Sequence, residues 1–506
     1  MPSRNLLVET TSNPIVTNTI VRLTKVISSA NSCRPIFICD EGKSNGFLYF
    51  VKSSIPDAQF CFAKDPHKVR LLKTLLSCLK LVIFNFSKKK RLRLKYKNYR
   101  LGPLAYDSYL TKYGRATLNV FDIRYLKVLV LILLELQKIE YVFCNYRIES
   151  VLVSHRVGLT GGSICLVAEQ SNIPIYSFGG DGYLALIKDN RQNVSEYTPS
   201  QKEVEILRNQ KVEWVNRYFD IARWMHLGHE INKDSSYAFS GKVWKEGISF
   251  AQNMEFANVN LEIVFILSHV FNDFPNSIFT NDIYCDYYEW LEDTLKICAQ
   301  NKFVNWIVRE HPSSSMYFQS KDRFAELKEK YENSNLKFMR SDFDFSSESI
   351  GNIAKAVITC HGSASFEFPA LFNIPSVHLG DNPATFFNIG TNFNSREEYR
   401  YFLKHLSGKT TELPISQEDA KLCYIFTQII SRFSYGLNPP SNFAEYKKSE
   451  NDFVYAIEEL IAYYDKNIKA FKKIEKNMLE QLKSPNFSRV VSDEFKELFD
   501  VQKNSD

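Results

Sequence analysis

The 506 residues are 44% hydrophobic and 24% charged, enough apolar material for two ordinary soluble domains, each with its own core. A formal net charge of +6 suits anionic substrates or a membrane surface and is too small to imply nucleic acid as a partner. The ten cysteines are scattered without a CxxC pair, which argues against a zinc site or a disulfide framework and reads as small buried side chains in a reducing, cytoplasmic compartment.

Met1 to Ser12 is largely polar and predicts no signal peptide. The apolar spacing of Ile15, Ile20, Leu23, Val26 and Ile27 predicts a helix over 13–30, followed by a buried strand from Arg34 to Asp40. Leu71–Leu79 reads as helix and Lys80–Phe86 as strand. The densest charge run, Lys88–Lys97, interleaves cations with Leu92, Leu94 and Tyr96. It suits anionic lipid head groups or an anionic glycan, and equally a solvated loop. Phe121–Lys138 reads as helix, and its most apolar part, Leu126–Leu136, is too short to span a bilayer, which needs about 20 apolar residues. Strand Ser150–His155, helix Gly162–Ser171 and strand Ile173–Phe178 follow.

From Thr198 to Asn258 the pattern is helical and aromatic. Alternation then resumes with strand Glu262–Leu267, helix Tyr284–Gln300, strand Phe303–Val308, helix Lys321–Tyr331, strand Leu336–Met339 and strand Ala356–Cys360. Helices Glu397–Leu406, Ser416–Ser431 and Glu450–Leu482 finish the chain. Strands separated by helices predict parallel sheets. The expected layout is an N-terminal α/β domain over 1–200, a helical connector over 201–258, a second α/β domain over 259–440, and C-terminal helices over 441–506 that pack back across the pair.

Asn305 to Asp381 carries the densest functional signal. One strand ends in Arg309-Glu310-His311-Pro312, and another runs into His361-Gly362-Ser363-Ala364-Ser365-Phe366-Glu367. Ligands bind at the carboxyl ends of strands in open α/β sheets. Gly362 permits close backbone approach, and Ser363 and Ser365 sit where a helix starts, a place to hold a phosphate on backbone N–H groups. The same serines serve equally as helix caps. Asp107, set among Tyr106, Ser108 and Tyr109, is a candidate general base or nucleophile, and also a candidate N-cap. Asp181 and His155 follow strands of the first domain and are alternative bases. No HxH, HExxH or DxD cluster has ligand spacing, so no metal is expected.

These residues carry a resemblance. Ser268–Asp273, Asp286–Leu291, Val304–Pro312 and the His361–Leu371 block, with Leu101–Leu110, Ser154-His155-Arg156 and Gly161-Gly162 in the first half, resemble bacterial surface-polysaccharide glycosyltransferases of the GT-B architecture, in the group around capsule β-Kdo transferases and related lipopolysaccharide enzymes. The resemblance implies two Rossmann-like domains facing a cleft, with a C-terminal bridging helix. It implies transfer of Kdo or a related acidic sugar from a nucleotide donor, CMP-linked donors included, to a cell-surface glycan or lipid-linked glycan acceptor. The donor is a substrate, and no separate cofactor follows. By the same resemblance His311, Ser363 and Ser365 meet the donor phosphate, Glu367 the ribose, and Gly362 and His269 belong to the donor side. The fold also houses sugar-nucleotide epimerases, the motif pair occurs in glycerophosphate polymerases, and a non-catalytic nucleotide-sugar-binding scaffold is a third reading. Localisation is expected at the cytoplasm, or peripherally at the inner face of the membrane.

Overall fold

The computed structural model describes residues 4–11, 13–39, 45–62, 68–179, 185–192, 194–227, 238–277, 283–407, 413–432 and most of 455–500. The chain divides into two compact units. The first comprises Met1–Ala105, Ile123–Glu196 and Ile430–Asp506, and the second Tyr106–Asp122 and Tyr197–Ile429. Each is a Rossmann-like α/β unit.

The first unit is built on β1 (Asn5–Val8), β2 (Arg34–Cys39), β3 (Gln59–Phe62), β6 (Ile148–Val153), β7 (Ile175–Ser177) and β8 (Ile187–Asp189), with the small hairpin β4 (Lys95–Tyr96) and β5 (Tyr99–Arg100) apart. The sheet order is β3-β2-β1-β6-β7-β8, parallel except for the last strand, which runs antiparallel to β7. Strand order therefore reverses between β1 and β6, the place where such sheets hold ligands. β1 is only four residues long, yet Leu6, Leu7 and Val8 are fully buried at the centre of the sheet. On one face, helix α1 (Pro14–Asn31) packs Ile20, Leu23 and Ile27 into a core shared with Phe37 and Leu152. The C-terminal helix Ile468–Leu482 packs on α1, adding Met478 and Leu482 to that core. Arg22 lies 4.0 Å over the Phe471 ring and pairs with Glu475 at 3.5 Å.

Two sequence expectations are corrected here. Lys80–Phe86 is not a strand, because helix α3 (Lys68–Ile83) runs on through Ile83. An apolar run this short has no periodicity of its own to tell strand from helix. The basic run is not a loop either. Lys88–Leu92 forms a short helix, α4, whose cap Ser87 accepts the Lys90 N–H, and the run then enters the β4–β5 hairpin. Arg91 is buried with its guanidinium 4.8 Å over the Tyr125 ring, and Lys97 donates to Glu140 at 2.8 Å.

The second unit holds β9 (Ile263–Leu267), β10 (Asn305–Arg309), β11 (Leu336–Met339), β12 (Ala354–Ile358), β13 (Ser376–Leu379) and β14 (Thr391–Phe393). Its order, β11-β10-β9-β12-β13-β14, repeats the first unit's, and every pair is parallel. Alternate side chains of β9 and β10 enter opposite faces. Val264, Ile266, Trp306 and Val308 join one core, and Ile263, Phe265 and Ile307 join the other. Among the described residues no helix is long and apolar enough to cross a membrane.

Candidate functional site

The reversal point of the second sheet lies between β9 and β12, and the residues just past those strands are His269 and His361-Gly362-Ser363. His269 Nε2 accepts the backbone N–H of His361 at 3.2 Å and lies 3.2 Å from Thr359 Oγ1, which leaves the ring proton on Nδ1. Its ring stacks on Tyr287 at 4.2 Å. Burial, and then the nearby His361 and His311, hold its pKa well below the ordinary histidine range. Burial also pushes His361 down to about 3, with His378 adding to the shift, and His378 itself down to about 4. The imidazoles of His269, His361 and His378 are thus neutral at pH 7, able to donate a hydrogen bond without bringing a charge.

Past β10, His311 is partly exposed, and its Nδ1 accepts the Ser313 N–H at 3.2 Å. That contact leaves Nε2 as the donor nitrogen, the form suited to a phosphate oxygen. Arg309, the one cation of this segment, is committed elsewhere. It is buried, donates to Ser347 Oγ at 2.6 Å and to the Phe345 carbonyl at 3.2 Å, and burial lowers its pKa to about 10.

The helix Ala364–Phe372 begins directly after the loop. The backbone N–H groups of Gly362, Ser363 and Ala364 make no hydrogen bond among the described residues, whereas those of Ser365, Phe366 and Glu367 are bonded to Gly362 and Ser363 carbonyls. Three consecutive open donors at a helix start make a candidate anion cradle. Ser363 is exposed beside them, and its hydroxyl makes no capping bond. Ser365 differs from expectation. Its side chain is fully buried and donates to the Gly362 carbonyl at 2.8 Å, so it braces the loop instead of facing outward. Gly362 is required by packing, since a Cβ there would sit 2.7 Å from Thr359 Oγ1. Glu367 is one turn on, its carboxylate mostly buried and 4.0 Å from His226 Nε2 of α9 (Val212–Leu227). The other ring nitrogen of His226 bonds Tyr424 Oη at 2.7 Å.

Asp107 was expected to act from the N-terminal domain, but the structure groups Tyr106–Asp122 with the second unit. Its carboxylate is fully buried and takes three hydrogen bonds, from the Asn276 backbone N–H at 2.9 Å, Asn276 Nδ2 at 2.9 Å and Ser277 Oγ at 2.6 Å. Burial raises its pKa to about 7 against the pull of those bonds. Next to it, Tyr106 donates to Asp286, which also accepts from Thr117 at 2.6 Å and caps the helix Tyr287–Cys298. These contacts fasten the 106–122 segment onto the second unit.

In the first unit, the reversal point between β1 and β6 is flanked by Glu9 and by Ser154-His155. The Glu9 carboxylate accepts the Ser154 N–H at 2.7 Å and the Ser154 hydroxyl at 2.8 Å. With its proton given to Glu9, Ser154 Oγ is left to accept from His155 Nδ1 at 3.3 Å, and the His155 ring is exposed. Glu9 was missed by sequence reasoning; its one signal is a carboxylate directly after an apolar triplet. Asp181 lies outside the described residues. Among those described, no three His, Cys, Asp or Glu side chains gather to hold a metal ion.

No protein-family model matches the chain, and no curated protein does. Among solved structures it is similar to Spinosyn Rhamnosyltransferase SpnG, at 9% identity and TM-score 0.25, covering 84% of this chain and 96% of that one. It is also similar to Anabaena Alr3699/HepE in complex with UDP, at 9% identity and TM-score 0.25, covering 92% and 100%. A third is UDP-N-acetylglucosamine 2-epimerase from Rickettsia bellii, at 10% identity and TM-score 0.24, covering 84% and 94%. Likenesses this loose carry no argument; the architecture rests on the chain's own two sheets.

Proposed function

We propose that the chain is a GT-B glycosyltransferase that moves a sugar from a nucleotide donor to a glycan acceptor. The observation that carries this reading is the anion cradle of the second unit. Three open N–H groups and the Ser363 hydroxyl lie at a sheet reversal point, beside neutral imidazoles at the ends of β9 and β12. Such a site suits the phosphate of a nucleotide and, above all, its extra charge as it departs. His311 Nε2 and Ser363 bind phosphate oxygens, and Glu367 accepts the ribose hydroxyls.

In the transfer step the acceptor oxygen bonds to the anomeric carbon as the carbon–oxygen bond to phosphate breaks. The phosphate keeps that electron pair, and the acceptor's hydroxyl proton goes to a base. We assign the base to His155 in preference to Asp107, because a base must meet the acceptor and Asp107 is wholly enclosed. The Glu9–Ser154 pair orients the His155 ring with Nε2 as the basic nitrogen and steadies the imidazolium once it forms. The sugar is Kdo or a related acidic one and the acceptor a bacterial cell-surface polysaccharide, a reading supported by the sequence resemblance and by the mild positive charge.

Incubating the full chain with CMP-, UDP- and GDP-sugars, with and without glycan acceptors, tests this. Acceptor-dependent release of nucleotide supports transfer. Acceptor-independent conversion of the sugar means an epimerase, and binding without turnover means a scaffold.

A further inference from the structure

Helix α3 packs on α6 (Ile123–Asn145) with an uncommon polarity. Its inward side carries Thr74, whose hydroxyl accepts from Gln137 at 2.9 Å, and the buried Cys78. Its outward side carries Leu71, Leu72, Leu75, Leu76 and Ile83, and the chain continues outward with Phe84 and Phe86, 75% and 63% exposed. A soluble helix turns such a stripe inward; a contiguous apolar face left outward marks a docking surface.

The charge around this face selects the partner. From Lys68 to Arg100 the chain has twelve lysines and arginines and no acidic residue. Lys73 and Lys80 stand exposed along the helix, and Lys89, Lys90 and Arg93 just beyond it. A second copy of this chain would set like charge against like. Nucleic acid would meet the cations and leave the leucines without a partner. A bilayer with anionic head groups takes both.

We propose that this face of the first unit docks on an anionic membrane surface, with the α3 leucines, Phe84 and Phe86 at the acyl boundary and the α3–α4 cations at the phosphates.

Flotation of the full chain with phosphatidylcholine vesicles, with and without about 30% phosphatidylglycerol, tests it. The expected result is recovery with the anionic vesicles only, abolished by high salt. Leu72→Gln with Leu76→Gln, and separately Lys89→Gln, Lys90→Gln and Arg93→Gln, should each lower partition by about tenfold or more while the melting curve is kept. Recovery equal on neutral vesicles, no recovery at all, or unchanged partition of both folded variants would overturn the proposal. So would a dimer of the wild-type chain that Leu72→Gln with Leu76→Gln dissociates, since a second copy would then be what covers the face.

Discussion

The Nε2 of His269 accepts the backbone N–H of His361 at 3.2 Å, tying the loop after β9 to the loop after β12 at the reversal point of the second sheet. The bond leaves no room behind the loop. A Cβ on Gly362 would lie 2.7 Å from Thr359 Oγ1 and 3.3 Å from His269 Cε1.

Gly362→Ala should therefore displace the cradle. Overpacking of this kind costs about 1–3 kcal/mol, which lowers the melting temperature by several degrees. Nucleotide affinity should fall more than stability does. Paired melting and calorimetric titration check this; a variant that binds nucleotide as well as the parent would show that the loop adapts.

The histidines set a pH dependence. His269, His361 and His378 are held below their unfolded value of about 6.5, so the stability linked to them is present above that value and lost as pH falls beneath it. Asp107, raised to about 7, acts in the opposite sense: its contribution is present below its unfolded value and lost as pH rises through about 7. Between about pH 4 and 6.5 three groups oppose one, so acid destabilises. The urea midpoint should be highest near neutrality and lower at about pH 5; a higher midpoint at pH 5 would contradict the neutral-imidazole account.

Asp107 is a staple. Asp107→Ala leaves three buried donors of Asn276 and Ser277 without their acceptor, each costing about 1–3 kcal/mol, and should lower the melting temperature markedly. Asp107→Asn keeps the size and should retain transfer wherever it folds. A folded Asp107→Asn chain that binds nucleotide normally but is inactive would restore the aspartate as the catalytic group.

His155→Ala should lower the transfer rate by about 10²–10⁴-fold and leave nucleotide affinity near normal, as loss of a general base does. Glu9→Ala should lower the rate as well, by a smaller factor, since it removes the acceptor that fixes Ser154 and, through it, the imidazole. A transfer rate unmoved by either change would assign the base elsewhere, Asp181 being next.

Much of the fold could be read from local pattern, and the reasons it ran out are physical. Buried parallel strands such as Ile263–Leu267 and Asn305–Arg309 are apolar runs bounded by polar loops, so they stand out. The central strand Asn5–Val8 does not, because four residues are too few to show a period. The loop His361–Ser363 is legible in the sequence as a candidate anion site, from its glycine and hydroxyls. Which serine turns outward was not, because Ser363 and Ser365 differ only in the direction the helix start imposes. The membership of Asp107 in the second unit depends on a partner 169 residues away, which no local pattern records.

Binding of the donor's phosphate at the cradle and His311 is the step on which the proposed function depends. Calorimetric titration of the full chain with CMP, CDP, UDP and GDP, repeated on His311→Ala, tests it most directly. The account predicts one-to-one binding of at least one nucleotide, weakened roughly ten- to a hundredfold in the variant, as befits a charge-assisted bond worth about 1.5–3 kcal/mol. Equal affinity in a folded His311→Ala chain, or no binding of any of the four by the parent, would contradict it.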